Sequence, residues 1–247
     1  MQQLAVPRQL ERYVKTLRIG HVQDANARYR RLPDGETELM VSFGDAHPHA
    51  SLIGTRTRAL DKPVQLGASA ILVRFRRGGA HPFFGRPLSE LTNEVITLDA
   101  LWSVAELAPL TAADGAAEIE AAVVKSLLDK FATAYEPAAA RSVRRALRLI
   151  SESSVLPRVP ALAAELGVSE RQLRRGFDQV VGMSPKHYLR VVRFQRALRL
   201  ARASRQRSKL DWAAIAESCG YFDQAHLIAE FREMSGVTPS VLLGPDV

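Results

Sequence analysis

Three guanidinium groups, those of Arg171, Arg174 and Arg175, fall close together in the stretch Leu162 to Leu189, LAAELGVSERQLRRGFDQVVGMSPKHYL. A guanidinium stays charged at any physiological pH. Its fixed fork of donors pairs bidentately with guanine O6 and N7 or anchors a phosphate. That chemistry requires the arginines to share a face. At 100° per residue, Arg171, Arg175 and Asp178 fall opposite Leu173 and Phe177, with Arg174 on the shoulder. A helix that is apolar on one side and arginine-rich on the other suits a recognition helix in a DNA major groove. The competing reading of a lone amphipathic helix is a solvated charged face.

The elements that must hold these side chains are legible around them. Leu173, Phe177 and Val180 recur at i, i+4, i+7, one buried helical face. Gly167 is placed to end the preceding helix in the left-handed conformation, and Ser169 with Gln172 three residues on forms a capping box that starts the next. The result is a helix-turn-helix, and it recurs. Leu173, Phe177, Gly182, Ser184 and Pro185 are matched by Leu227, Phe231, Gly236, Thr238 and Pro239, each pair offset by 54 residues, whereas the turn glycines Gly167 and Gly220 differ by 53. The second copy therefore carries one extra turn residue. Two such units, each closed by G-x-[ST]-P, are a far stronger signal than one.

With LGVSERQLRRGF, GMSPKHYL, AAIAESCGYFDQAHLIAEF and GVTPSVLL in view, residues from about Ala138 to Leu243 resemble the C-terminal DNA-binding domain of AraC/XylS-type transcription regulators. The resemblance implies double-stranded DNA as a partner, with two recognition helices on one connecting rod. It leaves RNA polymerase, a small-molecule effector and a second copy of the chain open as further partners.

The second unit differs in its chemistry. With Leu227, Phe231 and Met234 directed inward, the outward face of its recognition helix carries Ala225, Ala229 and Arg232, with Ile228 on the shoulder. Asp223 is a cap, and Gln224 and His226 near the N-terminus can reach a phosphate or a base edge. Ala229 departs from the basic residue many relatives carry there. Gly176, inside the first recognition helix, is another departure and costs about 1 kcal/mol of helix propensity against alanine.

Charge divides the chain. The net charge is +8. Residues 1–137 hold 16 Lys and Arg against 16 Asp and Glu, and residues 138–247 hold 18 against 10. A neutral half joined to a basic half fits residues 1–137 as a sensory or dimerisation domain and residues 138–247 as the DNA-binding domain. The opening residues lack the apolar core of a signal peptide, and no apolar run is long enough to span a bilayer, so a cytoplasmic protein without membrane partners is expected. The single Cys219 excludes an intrachain disulfide and reads as core filler.

The expected class is α+β: a small N-terminal β-barrel or sandwich, cupin-like by analogy with relatives, with flanking helices, and an all-α C-terminal domain. Strands are expected at Glu38 to Phe43 and Val64 to Phe75. The N-terminal order of segments is also similar to a poorly characterised sensor-like domain of the same family, which names no ligand. In the second strand, alternation puts Val73 and Phe75 on one face and Arg74 and Arg76 on the other, lining a pocket or facing water. Asp99 is read as the cap of helices that follow, in which Ile119, Val123, Val124, Leu127, Leu128 and Phe131 form a stripe for the domain's own core or for a dimer. Pro160 opens a helix, Ser184 and Pro185 open the rod, and Ser208 with Asp211 cap the second unit.

His47, His49 and His81 follow a cupin-like ligand pattern, but His47-Pro-His49 reads as a loop with no acidic partner at ligand spacing, so surface or core histidines are the expectation. No nucleophile elbow, phosphate loop, HExxH or dinucleotide fingerprint is present, and neither an enzyme activity nor a cofactor is expected. Two other classes stay open: a cupin-like metal-dependent enzyme fused to DNA-binding helices, and a non-specific architectural DNA-binding protein.

Overall fold

A computed structural model describes residues 1–44, 48–134, 136–205 and 210–244. Eight strands come first: β1 (Gln2–Leu4), β2 (Val14–His21), β3 (Arg28–Arg31), β4 (Glu38–Phe43), β5 (His49–Ile53), β6 (Leu60–Pro63), β7 (Ser69–Phe75) and β8 (Val95–Thr97). A short helix α1 (His81–Phe84) precedes β8, and α2 (Val104–Thr111) and α3 (Gly115–Ala132) follow it. The C-terminal half is helical: α4 (Ala138–Glu152), α5 (Val159–Leu166), α6 (Glu170–Val180), α7 (Pro185–Arg205), α8 (Trp212–Ser218), α9 (Gln224–Ser235) and α10 (Pro239–Leu243). The class is α+β.

The strands form one antiparallel six-stranded sheet in the order β1-β2-β7-β4-β5-β8, and β3 and β6 make a separate ribbon. The sheet does not close into a barrel, since β1 and β8 are its edges. Its apolar face is built by register. Leu17, Val73, Leu39, Leu52 and Ile96 stand opposite one another across five strands. Period-2 alternation aims all five at the same side, and helices cover that side. Phe83 of α1 meets Phe75 and Tyr13, and Ile119, Val123 and Leu127 of α3 are buried in the same cluster, with Val124, Leu128 and Phe131 packed against it. The stripe on α3 thus serves its own sheet.

Local readings shift at three places. The strand expected from Val64 begins at Ser69, because Gly67 has φ +82° and turns the chain between β6 and β7. Asp99 lies in a short 3-10 turn. The cap of α2 is Ser103, whose hydroxyl accepts from the Glu106 amide while the Glu106 carboxylate accepts from the Ser103 amide. Arg74 turns to neither an open pocket nor bulk water: it reaches Glu38 at 3.0 Å, Asp34 at 3.6 Å and Glu36 at 3.7 Å, while Arg76 is exposed and donates to the Glu11 carbonyl.

The histidines are separated. His47 lies outside the described residues. The His49 ring stands 3.1 Å from the Ser51 hydroxyl on β5, and His81 is buried at the start of α1, where desolvation pushes its pKa below the ordinary value. Among the described residues no three metal-ligating side chains come together, and no helix is long and apolar enough to cross a membrane.

Candidate nucleic-acid interface

The first helix-turn-helix is α5 and α6. Gly167 ends α5 at φ +67°, a region glycine enters without steric cost. Ser169 starts α6: its hydroxyl accepts from the Gln172 amide at 3.2 Å, and the Gln172 side chain accepts from the Ser169 amide at 2.9 Å. Leu173, Phe177 and Val180 are buried, which leaves Arg171, Arg174 and Arg175 exposed on the far side. Only Arg174 has an acidic neighbour, Asp178 at 3.9 Å, and partial burial raises the Asp178 pKa against that attraction. Gly176 has a reason that no local propensity reveals. Helix α4 crosses α6 there, and a Cβ at Gly176 would lie 2.9 Å from Val143 Cγ2 and 3.4 Å from Ala139 Cβ.

The second unit is α8 and α9. Asp211 caps α8, accepting from the Ala213 and Ala214 amides at 3.0 Å; Ser208, the other residue of the expected pattern, lies outside the described residues. Gly220 turns the chain at φ +76°, and Asp223 caps α9 by accepting from the His226 amide at 2.7 Å. Gln224, Ala225, His226, Ala229 and Arg232 are exposed. The His226 ring is partly committed to the turn, since its Nδ1 accepts from the Phe222 amide at 3.4 Å and its edge packs on Tyr221 with centroids 5.3 Å apart.

Both units stand on α7, whose Tyr188, Val191, Val192, Phe194, Ala197, Leu198 and Ala201 are buried around well over half its circumference. Ser184 caps the rod, accepting from the His187 amide. The joint to α9 combines the Phe194–Phe231 ring contact, centroids 4.7 Å apart, with a buried ionic cluster. Glu230, with a side chain only 2% exposed, takes Arg190 Nε at 3.0 Å and Arg193 Nη2 at 2.7 Å, and Arg190 also reaches Glu233 at 2.5 Å. The Arg193 guanidinium lies over the Tyr221 ring at 4.5 Å, and burial drives the Tyr221 hydroxyl pKa well up. Arg196 donates to the Ile150, Ser153 and Ser154 carbonyls, where α4 ends. Three of the basic residues in the charged half are therefore structural. They line a groove of about 1130 Å³ between the units, with Lys186, His226 and Ala229 on its walls.

Sequence reasoning missed Glu230, although a signal existed. It lies three residues after Leu227 and four before Met234, so it is a carboxylate on the inward face of α9, and a buried charge requires a partner.

The N-terminal half touches both units at the far ends of their recognition helices. Thr55 Oγ1 donates to the Val181 carbonyl at 2.8 Å, and Thr92 donates to the Gly182 carbonyl just past α6. At the end of α9, the Ala59 amide donates to the Met234 carbonyl at 2.7 Å and Arg30 to the Ser235 carbonyl at 3.4 Å. The segment from Thr55 to Ala59 thus straps the two units, and it is pinned by Asn93, a left-handed residue at φ +67° whose side-chain oxygen accepts from the Thr57 amide. Approach is close: a Cβ on Gly182 would fall 2.8 Å from the Leu88 carbonyl. The amino-terminal ends of α6 and α9, where Arg171 and Gln224 sit, stay open.

Two helix-turn-helix units on one rod, with open helix N-termini, define a double helix-turn-helix DNA-binding fold. Comparison with known proteins agrees. Residues 162–244 match a family described as a helix-turn-helix domain, and residues 2–97 match a domain of unknown function, DUF6597. The C-terminal region is thereby similar to the helix-turn-helix domain of AraC/XylS-type regulators. Among curated proteins it is similar to the HTH-type transcriptional activator RhaR of Yersinia pseudotuberculosis serotype O:1b (strain IP 31758) and to that of Yersinia pestis bv. Antiqua (strain Angola), each 40% identical over 70 residues, 28% of this chain. The aligned part spans 23% of the length of those relatives. Among solved structures it is similar to an AraC-type regulator from Chromobacterium violaceum (29% identity, 40% of this chain and 86% of that one, TM-score 0.35). ToxT from Vibrio cholerae also matches (9% identity, 92% of this chain and 96% of that one, TM-score 0.44).

Proposed function

We propose that the chain is a sequence-specific transcription regulator whose helices α6 and α9 enter successive major grooves on one face of double-stranded DNA, roughly 10 bp apart. The observation that carries this reading is the asymmetry of each recognition helix. The exposed outward face of its first half bears the donors, Arg171, Arg174 and Arg175 in α6 and Gln224 and His226 in α9, while its C-terminal end is covered by the N-terminal half. Arg171 and Arg175 read bases, Arg174 anchors phosphate, and Gln224 and His226 set register from the backbone.

The N-terminal half acts in this reading as the module that holds the two units in their relative positions. A second copy or a small effector bound there would alter that hold. The cleft between β5 and α2, lined by Val41, His49, Leu107 and Leu110, measures about 160 Å³, below the ~300–1,000 Å³ of drug-sized sites.

Selection of binding sites from random DNA by the full chain tests the proposal. The expected product is a bipartite motif with half-sites one helical turn apart, bound with a steep salt dependence, roughly 10³-fold between 50 and 200 mM for about six phosphates. Equal binding of selected and random DNA at matched salt would assign an architectural role instead.

A further inference from the structure

The two turns differ by one residue, and the structure shows which one. Gly167 and Gly220 both end a helix with positive φ, and Ser169 and Asp223 both cap the next. Val168 and Tyr221, directly after the glycines, both pack into the core. The residue left over is Phe222. Its side chain is 92% exposed, and it is the one aromatic among the exposed large apolar side chains of the described residues.

Isolated exposed apolar residues are common on protein surfaces, so exposure alone assigns nothing. Position does. The amide of Phe222 is held by His226 Nδ1, so the extra residue is tied to the first turn of α9 beside exposed Gln224 and Ala225. This is the end of the helix offered to DNA, and it is the unit whose outward face is short of hydrogen-bonding groups. In the major groove the thymine C5-methyl is the apolar mark of a base, and phenylalanine is one of the side chains that reads it.

We infer that Phe222 is a specificity-determining residue of the second half-site, where it packs against a thymine methyl. The inference rests on the DNA-binding reading above and deepens it: the second half-site is read by apolar contact, the first by guanidinium pairing. Removing the ring from water accounts for about a tenfold gain in affinity.

The test uses the full chain and Phe222→Ala, each titrated against the duplex that the wild type selects from random DNA. In parallel duplexes, uracil, which lacks only the methyl, replaces one thymine at a time in the second half-site. The expected result is about tenfold weaker binding by Phe222→Ala, with an unchanged melting temperature because the side chain lies outside the core. One uracil should weaken the wild type several-fold and leave the variant within about twofold, the coupling expected of two groups in contact. Equal sensitivity of both proteins at every thymine overturns the assignment, as does wild-type affinity in the variant. A variant with intact DNA binding but lost self-association would move Phe222 to a contact between copies. Failure of the wild type to select any site overturns the DNA reading itself, whereas intact base preference under Arg171 and Arg175 with no uracil effect overturns only the role of Phe222.

Discussion

The two helix-turn-helix units share a backbone plan and use opposite chemistry. In the first, arginines point outward from α6 and the inward face is apolar, with Gly176 letting α4 press close. In the second, the outward face carries Ala225 and Ala229 beside a single Arg232, and Arg190 and Arg193 of the rod point inward onto Glu230. Charge in the first unit is available to a ligand; at the second unit most of it, Arg232 apart, is consumed in holding the helix. A count of basic residues therefore overstates what phosphates can meet. The 18 Lys and Arg of residues 138–247 include Arg190, Arg193 and Arg196, already bonded within the fold.

The comparison breaks most sharply at Glu230. Glu230→Ala leaves Arg190 and Arg193 facing each other without their buried carboxylate, and loss of one partner of such a group costs about 3–5 kcal/mol. The expected outcome is a large fall in the denaturation midpoint of the full chain, with the motif under α9 lost before that under α6. A midpoint within error of wild type would show the ionic joint to be dispensable.

Next in size is the pair Arg171→Ala and Arg175→Ala. Each removes a bidentate donor worth about 1–3 kcal/mol of base discrimination, so the double variant should lose preference at one or two positions of one half-site and melt normally. Gln224→Ala should instead lower affinity evenly across sequences. A selected motif with equal or greater information under α9 would contradict the division of labour, and Phe222 is the residue through which α9 could narrow the gap.

Gly176→Ala sharpens the packing side. Alanine adds about 1 kcal/mol of helix propensity but forces its Cβ against Val143, and overpacking costs typically 1–3 kcal/mol. A net loss of about 1 kcal/mol is expected in chemical denaturation, and the pair with Val143→Ala should recover much of it. The corresponding change at Glu230, the residue 54 positions on, has no such rescue.

The smallest effect is a dependence on pH. His187, on the first turn of α7, has its pKa lowered by burial and by Arg190, with Glu230 and Glu233 pulling the other way. A depressed folded value favours the neutral ring, so its contribution to stability is full above the unfolded value of 6.5 and is lost as pH falls through the folded one. His81 follows the same sign in the N-terminal half. Denaturation midpoints measured from pH 7.5 downward should fall. His187→Gln should flatten the part of that slope that belongs to the rod.

How far the sequence could be read follows the range of the forces involved. The capping box at Ser169 and Gln172, the left-handed Gly167 and the inward faces of α6 and α9 depend on neighbours within a few positions, and they stand as expected. The Asp223 cap is equally local. The cap of α2 was legible too, since Ser103 and Glu106 form the same pattern as Ser169 and Gln172, and Asp99 drew attention from it. Sheet order was not legible: the pairing of β7 with both β2 and β4 joins segments far apart, and no local pattern encodes which strands meet. The acidic surroundings of Arg74 were hidden for the same reason, since alternation set its side and the turn bearing Asp34 and Glu36 set its neighbours. The choice of Arg171, Arg174 and Arg175 as candidate DNA contacts follows from face and type alone, and the structure leaves all three exposed.

The strap from Thr55 to Ala59 has a consequence for operator geometry. A body that grips two objects at once fixes the distance and the angle between them, and here the objects are the helices proposed to meet two grooves. One extra base pair between half-sites moves the second groove by about 3.4 Å and turns it by about 35° around the axis. A flexible pair of readers absorbs such a change. A strapped pair meets it as strain, so on the proposed reading this chain would gauge spacing as well as sequence, and operators differing only in the number of base pairs between their halves would be separate targets to it.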